Sequence, residues 1–326
     1  MLTIGALLAI VAGCTRDAAT GSNSTVGNPG ISTTEATATT PASSSASAVT
    51  TASTPAATST ATTLVSTARI TSNLSADELA GELTALERTA GDGYGSIGRH
   101  QQLLYRYLAA HADLDDAVLA AVGDDVRPYV ERIVRARQLG QARAAADTTP
   151  NPASDTLPAW VLVDPLPADE LLADYHVAEA ATGIAWYWLA AIHLQETRMG
   201  RIIGTSSAGA VGPMQFLPST FQRCCIGDPK NTRDAIIGAA TYLSQSGGPA
   251  DMHAALDQYN PSESYIAAVT AFAENMRDNP QLYAAYREWQ VFYTSSAGTV
   301  RLPVGYDATQ PIDAAAYLAV HPGDAG

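Results

Sequence analysis

The N-terminal part of the chain contains too few large apolar residues to join a folded core. Residues 15–73 are mostly Thr, Ser and Ala, with scattered Pro and Gly, no aromatic residue and few charges. Such a segment buries too little apolar surface to offset the entropy that it would lose on ordering. We therefore predict a disordered tether over residues 15–73, so the remainder of the 326 residues must supply the core.

The charge balance limits the kinds of molecule that the protein can bind. The chain has 18 basic and 32 acidic residues, a net charge of −14. Binding to nucleic acid or to an anionic membrane surface depends on clustered Lys and Arg, which this sequence lacks. We therefore expect no nucleic-acid partner.

A short apolar run at the N-terminus predicts export. The run from Leu2 to Ala12 is too short for a membrane-spanning helix but has the length of a signal-peptide core. It ends in Val-Ala-Gly-Cys, which resembles the lipobox of bacterial lipoproteins. Residues 1–14 are thus predicted to be a lipoprotein signal peptide with a lipidated Cys14, which would attach the exported protein to the cell membrane facing the wall. An ordinary signal peptide with an incidental Cys is the alternative.

Two further cysteines, Cys224 and Cys225, are adjacent in the chain. Neighbouring cysteines rarely bridge each other without strain. With Cys14 assigned to the anchor no third thiol remains, so we expect a reduced or strained pair and no metal site.

Residues 74–146 predict a small helical segment. Ser75 and Glu78 form a capping-box pattern, and a later stretch places Val126, Val130 and Val134 on one helix face. We interpret this segment as an accessory helical bundle that packs against the rest of the protein or acts as a spacer. This interpretation is simpler than a second active site. Residues 147–158 form a polar linker that contains Pro.

Residues 159–310 predict a compact and mostly helical domain. Apolar helical periodicity recurs up to Trp289, after which Val291–Tyr293 and Val300–Leu302 flank a Ser-Ala-Gly turn, the pattern of a β-hairpin. Residues 311–326 are a C-terminal tail. The predicted class is mostly α with this short hairpin.

Glu196 ends the most apolar of these helices. It is the only acidic residue between Glu179 and Asp228. The negative end of the helix dipole and the apolar surroundings both disfavour its ionised form, which suits a general acid. The alternative is a solvated carboxylate paired with Arg198 or Arg201. His193, one turn earlier, is predicted to be a core histidine.

A series of short motifs follows Glu196 in a characteristic order. They are ETRMG from Glu196, SSAGAVGPMQFLPSTF from Ser206, Asp228-Pro229, DAI from Asp234, LDQYN from Leu256 and YIAAV from Tyr265. Between about Leu166 and Met276 the series resembles the lytic transglycosylases of bacterial cell walls. It combines a GxMQFxP element of the soluble type with the ETxxG opening of the membrane-bound B type.

The resemblance implies a lysozyme-like (formally α+β) fold that cuts the β-1,4 bond between N-acetylmuramic acid and N-acetylglucosamine in peptidoglycan strands. One Glu, matched by Glu196, would protonate the leaving oxygen. The same carboxylate would then take the proton of the muramic 6-hydroxyl, which closes on the anomeric carbon to give a 1,6-anhydro end. The alternatives are a hydrolytic muramidase on the same fold and a non-catalytic wall-binding scaffold.

The resemblance also implies a set of substrate-binding residues, with Tyr259 hydrogen-bonded near Glu196 and Asn260 holding its loop. The set is Ser206, Ser207, Met214, Gln215, Phe216, Tyr259 and Asn260. For Met214 and Phe216 the alternative is a role in the core, for Tyr259 that of a buried structural phenol, and for Gln215 that of a satisfied polar residue.

A glycosidase with two carboxylates would need a second Asp or Glu across the cleft. No acidic residue lies near Glu196 in sequence, so a single acid is favoured, while four others remain open: Asp228, Asp234, Asp257 and Glu263. Some exported relatives carry an Asp/Gly-rich loop where this chain has residues 222–227, which offer too few oxygen ligands for calcium. We expect neither a metal nor another cofactor.

Overall fold

A computed structural model describes residues 73–89, 94–148 and 152–326. The predicted signal peptide with Cys14, and the predicted tether apart from Asn73, lie outside the described residues. What was predicted for residues 1–72 therefore stays a prediction.

In the described residues between 73 and 146 the chain forms four α-helices, α1 to α4. Their bounds are Ala76–Arg88, Tyr94–Ala110, Asp115–Ala121 and Arg127–Ala146. The capping box of α1 is confirmed, because Ser75 Oγ accepts the Glu78 N–H and the Glu78 carboxylate accepts the Ser75 N–H at 2.9 Å. The predicted apolar face of α4 is also confirmed, since Val130 and Val134 are buried.

The rest of the described chain adds eight helices and six short strands. Helices α5 to α12 span Ala168–Thr182, Trp186–Thr197, Pro218–Cys224, Thr232–Gln245, Met252–Tyr259, Glu263–Asp278, Leu282–Arg287 and Ala314–Val320. Strands β1 to β6 span Thr156–Leu157, Val161–Leu162, Ile202–Ile203, Val291–Ser295, Gly298–Leu302 and Ile312–Asp313.

The strands pair into three antiparallel, two-stranded sheets: β1 with β6, β2 with β3, and β4 with β5. The β4–β5 pair is the predicted hairpin, with Val291 opposite Leu302. In the β1–β6 pair Thr156 faces Asp313, so the predicted linker and the predicted tail are hydrogen-bonded to each other. The mostly helical class with a minor β component is confirmed and is consistent with a lysozyme-like fold.

One apolar core extends across both predicted helical segments. Helix α4 packs on α10, and α2 packs on α11. The contact between α4 and α10 is also polar, since Arg132 donates to the Asp278 carboxylate at 2.6 Å and to the Asn275 amide oxygen at 3.1 Å. Packing thus joins residues 74–146 to residues 159–310. Their division into an accessory segment and a catalytic domain is a division by function, and it remains a prediction.

Trp289 lies where these segments meet. Its ring packs edge-on against Phe272 and Tyr286, with centroids 5.2 and 5.4 Å away. Its indole N–H donates to Gln101 on α2 at 3.1 Å, and the Gln101 amide in turn donates to Glu87 on α1 at 2.9 Å. Burial raises the pKa of Glu87 to about 7. A buried polar chain thus links α1 and α2 to the C-terminal half.

None of the helices in the described ranges has the length and apolar character needed to cross a bilayer.

Candidate active site

Helix α6 runs through the middle of the helical core and ends at Glu196 and Thr197. It contacts α5, α8, α10 and α11. Its centre, from Leu189 to Leu194, is fully buried, and the small side chains of Ala190 and Ala191 let neighbouring helices approach closely. The sequence therefore places a single carboxylic acid at the end of a buried apolar helix.

The chain leaves α6 through three successive residues in the left-handed region. Arg198 has φ 56°, Met199 has φ 58° and Gly200 has φ 86°. Only glycine adopts this conformation without steric cost, so the two non-glycine residues are held there by their surroundings. The turn ends the helix beside Glu196 and sends the chain into β3.

The Glu196 carboxyl is half-buried and has a raised pKa. Loss of hydration on burial raises its pKa to about 7, and the hydrogen bond from Tyr265 partly opposes this shift. No carboxylate among the described residues contributes to the shift. At neutral pH the group is thus divided between its protonated and ionised forms, the condition required for both acid and base catalysis.

The alternative ion pair between Glu196 and a neighbouring arginine is absent from the described residues. Arg201 pairs with Asp164 at 3.5 Å and with Glu288 at 4.0 Å, and Arg198 donates to the main-chain oxygen of Leu194. Both guanidinium groups are directed to other partners, so neither neutralises the Glu196 carboxylate.

Tyr265, at the start of α10, is the tyrosine that touches Glu196. Its hydroxyl donates to Glu196 Oε1 at 2.6 Å. We expected Tyr259 near this carboxyl, and its raised pKa reflects burial first and the Glu196 charge second, so it does lie nearby. The Tyr259 hydroxyl, however, donates to the main-chain oxygen of Met214 at 2.6 Å. In the sequence Tyr265 stands out only as the first residue of the YIAAV motif, so its contact with Glu196 was not predicted.

We expect Tyr265→Phe to move the alkaline limb of the pH–rate profile for the predicted glycan cleavage to higher pH. The hydroxyl stabilises the ionised carboxylate, so its loss raises the pKa of Glu196 further above its ordinary value. The protonated acid then persists to higher pH. Glycan release measured across the pH range for Tyr265→Phe and Tyr259→Phe checks this. Since Tyr259 bonds to Met214, its variant should keep the wild-type limb, and equal shifts in both variants would refute the assignment.

The segment between Gly212 and Phe216 lies against Tyr259. The Met214 side chain is completely buried, and Phe216 packs its ring against Phe221 and Tyr259 at 5.2 and 5.7 Å. These two side chains belong to the core, as the alternative interpretation proposed. Gln215 in the same segment is half-buried. Contact of Met214, Gln215 and Phe216 with a substrate remains a prediction.

Gln215 has an unusual backbone and a local hydrogen bond. Its φ is 49°, and its side-chain amide donates to the Gly212 carbonyl oxygen at 2.8 Å. Gly212 is required here for two reasons: its φ is 78°, and an added Cβ would lie 1.8 Å from the Pro229 oxygen. The role of Gln215 in substrate binding remains a prediction.

The other predicted binding residues differ in exposure. Ser206 Oγ accepts the Ala210 N–H at 2.9 Å and so closes the 206–210 turn, whereas Ser207 is exposed. Asn260 ends α9, with its N–H donating to the Leu256 oxygen at 2.8 Å. Their contacts with substrate remain predictions.

Three of the four candidate second carboxylates have partners of their own. Asp234 accepts the N–H of Asp228 at 3.0 Å, and Asp228 accepts the N–H of Lys230 at 2.9 Å. Glu263 lies 3.5 Å from His253 on the surface. These carboxylates are engaged in loop and surface contacts, which favours the single-acid interpretation.

His193 is a core histidine, as predicted. It is fully buried, and its Nδ1 lies 2.8 Å from the Tyr175 hydroxyl. Burial lowers its pKa to about 3, so the ring is neutral. Its Nδ1 is thus hydrogen-bonded to Tyr175 and not to Glu196.

Cys224 and Cys225 are joined by a disulfide at the end of α7. The sequence left two states open, a reduced pair and a bridged pair, and the structure contains the bridged pair. The residue that follows this disulfide, Ile226, is 94% exposed.

Comparison with known proteins yields a distant and partial similarity. The chain is similar to a protein named membrane-bound lytic murein transglycosylase F from Thiobacillus denitrificans, with 26% identity over 145 residues. The match covers 42% of this chain and 31% of the relative, so it spans about a third of the relative's length. No protein-family model and no solved structure matches the chain. The relative is of the F type by name, so the similarity agrees with the sequence resemblance at the level of lytic transglycosylases and gives no support to the B type.

Proposed function

We propose that this protein is a peptidoglycan lytic transglycosylase in which Glu196 is the only acid and base. The observation that carries the proposal is one half-buried carboxyl with a pKa of about 7, hydrogen-bonded by Tyr265 at the end of a buried helix. The motif series around it and the distant similarity to a lytic murein transglycosylase support the same conclusion.

The reaction would proceed in two proton transfers. The protonated Glu196 gives its proton to the oxygen that leaves with N-acetylglucosamine as the C1–O bond of the muramic residue breaks. The resulting carboxylate then accepts the proton of the muramic 6-hydroxyl, and that oxygen bonds to C1. No water is consumed, and Glu196 ends protonated as it began. A carboxyl whose pKa is near the working pH can serve in both steps.

Tyr265 and the predicted binding residues would fill these roles. Tyr265 holds the Oε1 oxygen, so Oε2 is the atom that would exchange protons with the sugar. Ser206, Ser207, Gln215 and Asn260, with the main chain of the Gly212–Phe216 segment, would bind the glycan. In this proposal Tyr259 supports the segment through its hydrogen bond to Met214, and its ring, with Met214 and Phe216, would complete the binding surface.

The products of purified peptidoglycan digested by the wild-type protein test the proposal. We expect muropeptides that end in 1,6-anhydro-muramic acid, identified by mass spectrometry from a mass 18 Da below that of the reducing sugar, because no water is added. Reducing muramic ends would replace the proposal with a hydrolytic muramidase. Binding to sacculi without any released product would identify a wall-binding scaffold.

We further propose that the protein is exported and held at the cell membrane by acyl groups on Cys14. The support is the apolar run of residues 2–12 followed by Gly13 and Cys14. Stable anchoring takes two membrane signals, which a diacylated cysteine provides. We expect Cys14→Ala to move the protein from the membrane to the soluble extracytoplasmic fraction, with unchanged glycan cleavage per molecule. A wild-type protein that is already soluble, and unlabelled by a fatty-acid probe, would remove the anchor but not the enzyme.

A further inference from the structure

Thr197, the residue after Glu196, has a fully buried hydroxyl that bridges two loops. Its Oγ1 donates to the main-chain oxygen of Pro213 at 2.6 Å and accepts the N–H of Gly200 at 3.0 Å. The first contact joins the end of α6 to the segment that carries Gln215. The second holds the left-handed turn that follows Glu196. We call this pair of hydrogen bonds the Thr197 bridge.

The Pro213–Gln215 segment lies in a tight turn that Val211 and Phe216 close by main-chain hydrogen bonds at 2.9 and 3.0 Å. Pro213 has no N–H to donate, and its buried carbonyl needs a partner, because an unpaired buried main-chain group is costly. The next carbonyl, that of Met214, is held by Tyr259 at 2.6 Å. Two successive carbonyls are thus held by two hydroxyls, one of them on the residue next to Glu196.

Gln215 has a strained backbone conformation that its surroundings must hold. Its φ of 49° is an unfavourable backbone conformation for a residue with a side chain. Such strain persists only where the surrounding contacts determine the conformation. The Thr197 bridge lies one residue from Glu196 on one side and two residues from Gln215 on the other, so it connects the two.

We propose that Thr197 is a positioning residue, whose hydroxyl sets the distance between the Glu196 carboxyl and the glycan-facing main chain at Gln215. The inference rests on the proposed function, in which Glu196 must reach both the leaving oxygen and the 6-hydroxyl of one sugar. Thr197 does not touch the carboxyl, so it acts on geometry and leaves the pKa of Glu196 unchanged.

Two substitutions separate this role from simple packing. Thr197→Val keeps the shape and removes the hydroxyl, whereas Thr197→Ser keeps the hydroxyl and removes a methyl group. If the bridge positions Glu196, the valine variant loses about 10- to 100-fold in kcat, because a displacement of about 1 Å has an effect of this size. Its alkaline pH limb stays at the wild-type position, and the serine variant retains most of its kcat. A packing role predicts the opposite order of the two variants.

Amide hydrogen exchange at Gly200 provides a readout that does not depend on activity. In Thr197→Val we expect the Gly200 amide to exchange about tenfold faster, the factor for loss of one ordinary hydrogen bond, and in Thr197→Ser to keep its protection. If the wild-type protein cuts no glycan, the proposed function fails while this exchange still decides whether the bridge exists.

Two results for a folded Thr197→Val protein would each overturn the proposal. One is a wild-type kcat, and the other is an unchanged exchange rate of the Gly200 amide. If the valine variant does not fold, the serine variant decides: near-wild-type kcat with a protected Gly200 amide supports the bridge. A loss of tenfold or more in a folded serine variant overturns it.

Discussion

Glu196→Gln is expected to reduce glycan cleavage by about 10²- to 10⁴-fold, the usual contribution of a general acid or base. Glutamine has nearly the shape of the carboxyl and can still accept the Tyr265 hydrogen bond, but it can neither donate a proton to the leaving oxygen nor accept one from the 6-hydroxyl. Release of soluble muropeptides from purified sacculi, measured as an initial rate, gives the size of the loss. Binding to sacculi should be retained.

The matched control for this variant is Glu263→Gln. Glu263 has the same side chain, lies at the start of α10 two residues before Tyr265, and is exposed on the surface beside His253. If Glu196 is the only acid and base, the control keeps wild-type activity. Full activity in Glu196→Gln would remove the catalytic assignment. Loss in both variants would point to a second carboxylate.

Trp289→Ala is expected to lower the free energy of unfolding of the folded part by about 3–5 kcal/mol, the range for truncating a large buried aromatic residue. The indole is 1% exposed, packs against both Phe272 and Tyr286, and satisfies the Gln101 oxygen. Its loss leaves a cavity and an unpaired buried amide oxygen, which adds to the cost. Chemical denaturation followed by circular dichroism measures the change.

Leu139→Ala is a suitable control, because Leu139 lies on α4 and is 43% exposed. Truncation of such a surface residue changes stability by about 0.5 kcal/mol or less. Helices α1 to α4 share the core with α10 and α11, so we also expect one cooperative transition in the wild-type protein. Two separate transitions, or a loss below about 1 kcal/mol in Trp289→Ala, would contradict the shared core.

Features specified by neighbouring residues were predictable from the sequence. The α1 capping box depends on Ser75 and Glu78, three residues apart, and the β4–β5 hairpin on two β-prone runs around a short turn. The apolar helix that ends in Glu196 is recognisable for the same reason, since its composition alone implies burial and burial implies a raised pKa. Helical periodicity and capping are local properties and do not depend on the rest of the fold.

The choice between Tyr259 and Tyr265 could not be made in this way. The two residues lie six positions apart, at the end of α9 and the start of α10, and both belong to the motif series. Tyr265 and Glu196 are separated by 69 residues, so their hydrogen bond depends on how α10 packs along α6. The motif resemblance implied that Tyr259 lies near Glu196. Only the packing of these helices assigned the Tyr265 hydroxyl to the carboxyl and the Tyr259 hydroxyl to Met214.

The sequence by itself thus determined the helical class, the hairpin and the position of Glu196 at the end of a buried helix, because hydrophobic period, caps and turns act over a few residues. The tertiary structure alone decided the partner of Glu196, the burial of Met214, and the merging of residues 74–146 with the later helices into one core. These features arise where side chains distant in the chain meet, as Trp289 meets Gln101 and Thr197 meets Pro213. Such contacts depend on the relative placement of whole helices and loops, which no local pattern encodes.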